Sequence, residues 1–407
     1  MYRNIKANVY DSYRKNKDDF RAFLFRIYPE FIYKEVEKIP LEEIPVFTFH
    51  SVEPETFEEQ IRYLAENRYR TVTGDKFFEI ITGRVKNEEN TIVLTFDDGV
   101  GSLWSVVYPV LKKYGLSAIS FILPSRIVER SEHHSTLQDV WDGKAAIEKI
   151  RDRERTAPFL NWGEIRQIHK SGVIDFQSHT SYHHSVFVSD KIVDFLNPFM
   201  NINFLQSSLS PMVRKNGRDV VLDTLEYGRP IYEWAPAMRS DKRYIEDEEL
   251  GNECVEFVLQ NGGDSFFAQS GWRQLLKGYI RDFKRKKGND GRFQSAPERF
   301  KEIREDLLQS KKSIESKLNK DVKHLCYPWY EGGDLSVKAS KEIGFICNYW
   351  GILKDRSINR VGDDPFYVVR INNDYIHTLP GKGRESALKV FTKKFENYRN
   401  NKFQGCG

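Results

Sequence analysis

The stretch Thr91 to Gly99, TIVLTFDDG, sets the reading of the whole chain. Thr91 to Phe96 is a short apolar run of strand length and composition. Asp97, Asp98 and Gly99 end it at once, in residue types that favour a turn. Beyond the turn, Val106, Val107, Val110 and Leu111 recur at helical spacing, and Ser117 to Leu123 (SAISFIL) repeats the strand signature. On the other side, Pro45 opens the run VFTF, which His50 closes. Thr56-Phe57-Glu58-Glu59 then reads as a capping box, with Ile61, Leu64 and Tyr69 on one helical face.

Four more runs follow: Val173 to Phe176, Val322 to Tyr327, Phe345 to Tyr349 and Phe366 to Ile371. Seven strands alternating with helical segments predict an α/β chain of βα units closing into a barrel of about seven strands. Between Ser185 and Ala296 the alternation lapses, which predicts an insertion forming a cap. The periodicity of Phe300, Ile303, Leu307, Ile314 and Leu318 then predicts a helix over 297–318. The expected organisation is a helical leader 1–44, barrel 45–185, inserted cap 186–296, barrel 297–385 and a tail 386–407.

Composition narrows the class. A chain of 407 residues with 14% aromatics has length for two or three folded units, which excludes a peptide hormone or a disulfide miniature. Its 63 cationic and 59 anionic residues leave a net charge of +4, too small to argue for a nucleic-acid partner. The cysteines at 254, 326, 347 and 406 have no paired spacing and fit reduced thiols. No secretory h-region and no stretch of about 18 apolar residues is present, so the expected location is cytoplasmic.

In barrels of this kind the working residues gather on the loops after the strands. The strand ends deliver His50, then Asp97 and Asp98, then His179, then Tyr327-Pro328-Trp329, then Arg370 with Asn372 to Asp374. The sharpest local signal is His179-Thr-Ser-Tyr-His183. Histidines four apart on a helical turn share a face and can grip one cation, with a carboxylate as third ligand and positions left open. Two adjacent carboxylates pointing apart allow one to bind metal while its neighbour serves as a base. Each motif alone is commonplace; two of them, each after its own apolar strand, form a constellation.

TFDDG at 95–99 and H-T-x-x-H at 179–183 resemble the first two motifs of the polysaccharide deacetylase family (NodB homology, carbohydrate esterase 4). The VFTFH, FEEQIRYLAENRYRTVT and LCYPW segments resemble its poly-N-acetylglucosamine deacetylase group. The resemblance implies a distorted (β/α)7 barrel and a hydrolase that removes N-acetyl groups from a carbohydrate. It implies Asp97 as general base, Asp98, His179 and His183 as ligands of a divalent metal, foremost zinc, and the backbone N–H of Trp329 as an oxyanion donor. Cys326 stands where many members carry an arginine, so Arg370 or Arg239 is the expected partner of Asp97. The family's late Leu-x-His is absent in that form. His377 is therefore the candidate general acid, with His50 as the alternative, and His184 is a lesser rival of His183.

Aromatic rings suit a sugar site, and Trp329, Tyr330, Trp234 and Trp350 are the candidates, beside His50 and Tyr327 as substrate contacts. Lys382 and Arg384, in LPGKGR, could meet a phosphate of a nucleotide- or lipid-linked substrate. The basic run Lys277 to Arg292 reads as a solvated face or as a contact for anionic lipid headgroups. The competing readings are a metal-dependent amidohydrolase acting on a non-sugar amide and a carbohydrate-binding protein that has lost catalysis. The sequence assigns no oligomeric state.

Overall fold

The computed structural model describes residues 21–200, 211–216, 218–222, 226–288, 290–390 and 392. Most of the predicted tail and the first half of the leader lie outside them. The chain divides into two compact units. The first holds 1–181, 307–330 and 340–406, and the second holds 182–306 with 331–339.

The first unit is built on seven parallel strands: β1 (Val46–Phe49), β2 (Thr91–Phe96), β3 (Ala118–Ile122), β4 (Ile174–Ser178), β5 (His324–Cys326), β6 (Cys347–Tyr349) and β7 (Ile371–Asn372). They lie in the order β6-β5-β4-β3-β2-β1-β7. The chain thus adds each new strand beside the last, as successive βα units do. Closure falls to the segment 368–372. Its Val368 bridges Tyr349 of β6, with Val368 N–H donating to Asn348 O at 3.0 Å, and its Ile371 pairs with Phe47 of β1. The result is the expected distorted (β/α)7 barrel. Every residue of β1, β2 and β3 is buried, which is why these strands stand out as unbroken apolar runs.

The longer helices between the strands are α1 (Pro54–Glu66), α2 (Gly74–Ile81), α3 (Tyr108–Tyr114), α4 (Trp162–Ser171), α5 (Ala296–Leu318) and α6 (Asp334–Ile343). α1 begins two residues before the predicted capping box. Pro54 occupies its first turn, where the missing N–H removes no bond, and Glu53 caps without its side chain. Thr56 is inside the helix. The expected strand over 366–371 is also shorter, because Asp364 accepts from Phe366 N–H at 2.9 Å and holds Pro365–Tyr367 in a 3-10 turn. The described part of the leader is not one helix. It is helical at 21–24 and in a single turn at Glu30–Tyr33, has a strand at Glu43–Ile44, and buries Ala22, Tyr28, Phe31 and Ile32.

The second unit explains the lapse in alternation. Strands Pro230–Pro236, Ser185–Phe195, Pro211–Lys215 and Arg218–Val221 form one mixed sheet. Helices Glu248–Gln260 and Trp272–Lys287 pack Leu250, Cys254, Val258, Trp272, Leu276, Ile280 and Phe283 in a core of their own. Most of the basic run lies on the solvent face of the second helix, where Lys287 pairs with Glu249, and Arg292 beyond the helix pairs with Glu298. Among the described residues no helix is long and apolar enough to cross a membrane.

Candidate metal and catalytic site

The site forms where β2 stops. Asp97 N–H still donates to Phe49 O at 3.0 Å, so Asp97 remains in the β1–β2 ladder and is buried. Asp98 and Gly99 then turn left-handed, with φ of 69° and 73°, and Gly99 N–H closes the turn on Asp97 O at 2.9 Å. A side chain on Gly99 would meet Ile122 at 3.1 Å in a conformation that glycine adopts freely. This reversal sends the two neighbouring carboxylates in different directions.

Asp97 meets Arg370. The guanidinium makes a fork, Nη1 to Oδ1 at 2.7 Å and Nη2 to Oδ2 at 2.9 Å, while its Nε donates to Trp350 O at 3.0 Å. Both side chains are buried, and Cys326 Sγ lies 3.7 Å from each Asp97 oxygen. Burial alone would raise the Asp97 carboxyl. Arg370, with His179 and His50, overcomes it and holds the group well below the carboxylate range. Asp97 is therefore an ionised carboxylate at neutral pH. Of the two arginines proposed from sequence, Arg370 is the partner; Arg239 pairs with Asp241 and Glu331 in the second unit.

Asp98 turns toward His179 and His183. One ligand atom from each of the three lies within 4.8 Å of the others, and His179 Nε2 is 3.5 Å from Asp98 Oδ1. His179 Nδ1 is 2.9 Å from the carbonyl oxygen of Cys326. A carbonyl only accepts, so Nδ1 carries the hydrogen and Nε2 presents its lone pair on the Asp98 side, the orientation a metal-ligating histidine needs. Burial, reinforced by Asp97, pushes the Asp98 carboxyl up to about 6 although His50 and Arg370 oppose it. Two imidazoles and a desolvated carboxylate fit a divalent cation of the zinc type, with coordination positions to spare. A second grouping, Asp97 with His179 and Cys326, is equally close. It fits a cation less well, because Arg370 engages both Asp97 oxygens and burial keeps the Cys326 thiol protonated by raising it well above its usual range.

The histidine pair does not converge by the helical turn that its spacing predicts. The segment is irregular, with Thr180 at φ 69° and His183 at φ 50°. Left-handed non-glycine residues recur after β5, at Trp329 (φ 60°) and Tyr330 (φ 63°). Such conformations cost energy and gather where function fixes the backbone.

The remaining predicted residues separate into those at this end of the barrel and those away from it. His50 Nε2 is 4.0 Å from Asp97 Oδ2 and half exposed. His377 is placed elsewhere: its ring stands edge-on to Tyr63 at 5.1 Å and its carbonyl accepts from Glu385 N–H at 2.7 Å. Lys382 and Arg384 are also away. α1 leaves the C-terminal end of β1, and the strand Arg70–Thr71 after it pairs with the start of β2, so the last turn of α1 marks the opposite end of the barrel. There Tyr63 Oη donates to Leu379 O at 2.6 Å, Tyr69 Oη to Pro380 O at 2.7 Å, and Lys382 N–H to Asn67 Oδ1 at 2.7 Å. Arg384 is spent on the carbonyl oxygens of Thr378 and Phe31. This loop is a structural clasp, not a phosphate cradle for the site.

Tyr327 is fully buried, its hydroxyl accepting from Asn348 Nδ2 at 2.7 Å. Trp350 packs between Tyr327 and Tyr367 and donates to Phe366 O, a core role. Trp234 lies in the sheet of the second unit opposite Phe187. His184 Nδ1 is 3.9 Å from Asp306 there, and burial lowers its imidazole to about 4. The Cys326 contacts escaped the sequence reading, which saw only a missing arginine.

Fold and site together define a class: a seven-stranded βα barrel with an Asp-His-His donor set that could hold a cation and a second carboxylate clamped beside it. Residues 84–200 match the family model for polysaccharide deacetylase. The chain is 32% identical over 101 residues to the Bacillus subtilis protein YxkH, assigned to the polysaccharide deacetylases by name, covering 23% of this chain and 36% of that one. It is 28% identical over 132 residues to the poly-β-1,6-N-acetyl-D-glucosamine N-deacetylase of Escherichia coli K12, covering 32% of this chain and 18% of that one. The enzyme of that name from Staphylococcus aureus MRSA252 is 21% identical over 237 residues, covering 52% and 71%. The chain thus spans about a third of the first of these relatives and under a fifth of the second.

Proposed function

We propose that this protein is a metal-dependent hydrolase that removes N-acetyl groups from an amino sugar or N-acetylated glycan. The observation that carries the reading is the pairing of an ionised Asp97, fixed by Arg370, with a separate Asp98-His179-His183 donor set one residue away. A divalent cation held by that set would supply Lewis-acid polarisation of the acetyl carbonyl and an activated water.

The chain's own groups do the rest. The Asp97 carboxylate accepts a proton from the water that attacks the acetyl carbon. Arg370 fixes both Asp97 oxygens, so the acceptor does not rotate away during the transfer. The backbone N–H of Trp329, in a strained left-handed turn, is the donor assigned to the developing oxyanion, a role worth on the order of 10²- to 10³-fold in rate. His50, rather than His377, is the histidine assigned to protonate the leaving amine as the C–N bond breaks, because it stands beside Asp97. Acetate and a free amino sugar result.

The test is incubation of purified, zinc-loaded protein with free, nucleotide-linked and lipid-linked N-acetylhexosamines and with N-acetylglucosamine oligomers. Acetate release that chelation abolishes and zinc restores supports the reading. No acetate from any substrate, with metal bound, overturns it.

A further inference from the structure

Tyr330 is a residue that the chemistry above leaves unused, and its conformation is costly. It follows Trp329 in a second consecutive left-handed position, φ 63°, where a bulky side chain is rarely tolerated. Its ring lies over the Arg370 guanidinium, with Cζ 5.2 Å from the centroid, and meets the His50 ring edge-on at 6.0 Å. Arg370 is itself immobilised by Asp97 and by Trp350 O, so the ring rests on a fixed cation. Yet Tyr330 remains 37% exposed. Room for it is made by Gly351, where a Cβ would come within 2.7 Å of Tyr330 Cβ, and whose N–H donates to Tyr330 O at 3.4 Å.

We infer that Tyr330 is a specificity-determining residue, the aromatic platform on which the pyranose ring of the reacting sugar lies. The inference rests on the deacetylase reading and adds to it the surface that selects a sugar over a small amide. Arg370 lies against the ring and His50 stands beside it, and the partly exposed residue offers an aromatic ring of the kind that suits the C–H face of a pyranose. The backbone strain holds that surface at the reacting centre.

The experiment compares the full-length zinc-loaded parent with Tyr330→Gly, Tyr330→Phe and Gly351→Ala, on β-1,6- and β-1,4-linked N-acetylglucosamine pentasaccharides. KM, kcat and the thermal unfolding midpoint are measured for each. Tyr330→Gly is expected to raise KM about tenfold, the scale of one lost ring contact, with an unchanged or higher unfolding midpoint. Tyr330→Phe should stay within about twofold of the parent, since the ring and not the hydroxyl is used. Gly351→Ala should raise KM as Tyr330→Gly does, by pushing the ring aside. An unchanged KM in Tyr330→Gly, or equal losses in the Phe and Gly variants, would overturn the inference. A parent protein that releases no acetate from either glycan instead defeats the deacetylase reading itself.

Discussion

The two ends of the barrel carry arginines that look alike in the sequence and do opposite work. At the C-terminal end of the strands, Arg370 is buried and spends its fork on a carboxylate. At the other end, Arg384 is half-buried and spends its donors on two backbone carbonyls. The first creates a charged, strained centre with Asp98, Thr180, Trp329 and Tyr330 in left-handed conformations. The second closes a loop against Tyr63, Asn67 and Tyr69. A cluster of cations and glycines is thus no guide to a site until the acceptors are known.

The sharpest way to break this contrast is at the cation centre. His179→Ala removes one of the two imidazoles, and is expected to abolish acetate release and zinc retention while the far-ultraviolet spectrum stays that of the parent. Full activity with bound metal in that variant would refute the assignment of the centre. Next in size is Arg370→Met, which leaves the Asp97 charge buried and unpaired. It should cost about 3–5 kcal/mol in urea unfolding. Adding Asp97→Asn should recover part of that loss, since the stranded charge is then gone.

The pH dependence has a definite sign. Asp97 is depressed below its ordinary value of 3.8, so its ion pair stabilises the fold fully above that value. The contribution fades as pH falls through the ordinary range toward the depressed one. Unfolding free energy should decline on acidification below about pH 4 more steeply in the parent than in Asp97→Asn. Equal slopes would show that the pair contributes no pH-linked stability. The smallest effects belong to the opposite end. Arg384→Met should cost about 1–3 kcal/mol through its lost carbonyl bonds, with kcat/KM unchanged. The exposed Lys382→Ala should stay within about 0.5 kcal/mol. A fall in kcat/KM in either variant would bring that loop back into the functional site.

The barrel strands were legible because burial on both sides leaves apolar runs such as TIVLTF and SAISFIL, and a run of that kind needs no neighbour to be recognised. Asp97, Asp98, His179 and His183 were legible as a constellation because the two motifs that carry them each come after such a run. The start of α1 was misplaced because Thr56 and Glu59 have the spacing of a capping box, while Pro54 opens the helix without any side-chain bond. His377 drew attention through its position late in the chain. His50 had the better physical signal, as the residue that ends a fully buried strand next to the one bearing Asp97. The role of the Leu379 to Arg384 loop could not be read from sequence, because the loop is held mostly through its own main-chain groups, which every residue possesses.

The short segment that joins β6 to β1 has a mechanical consequence. It is tied to one neighbour by a single bridge at Val368 and to the other by two paired residues. Arg370 sits in the middle of it. Any breathing of that seam would loosen the guanidinium from Asp97, so the buried ion pair is only as steady as the last stitch of the barrel.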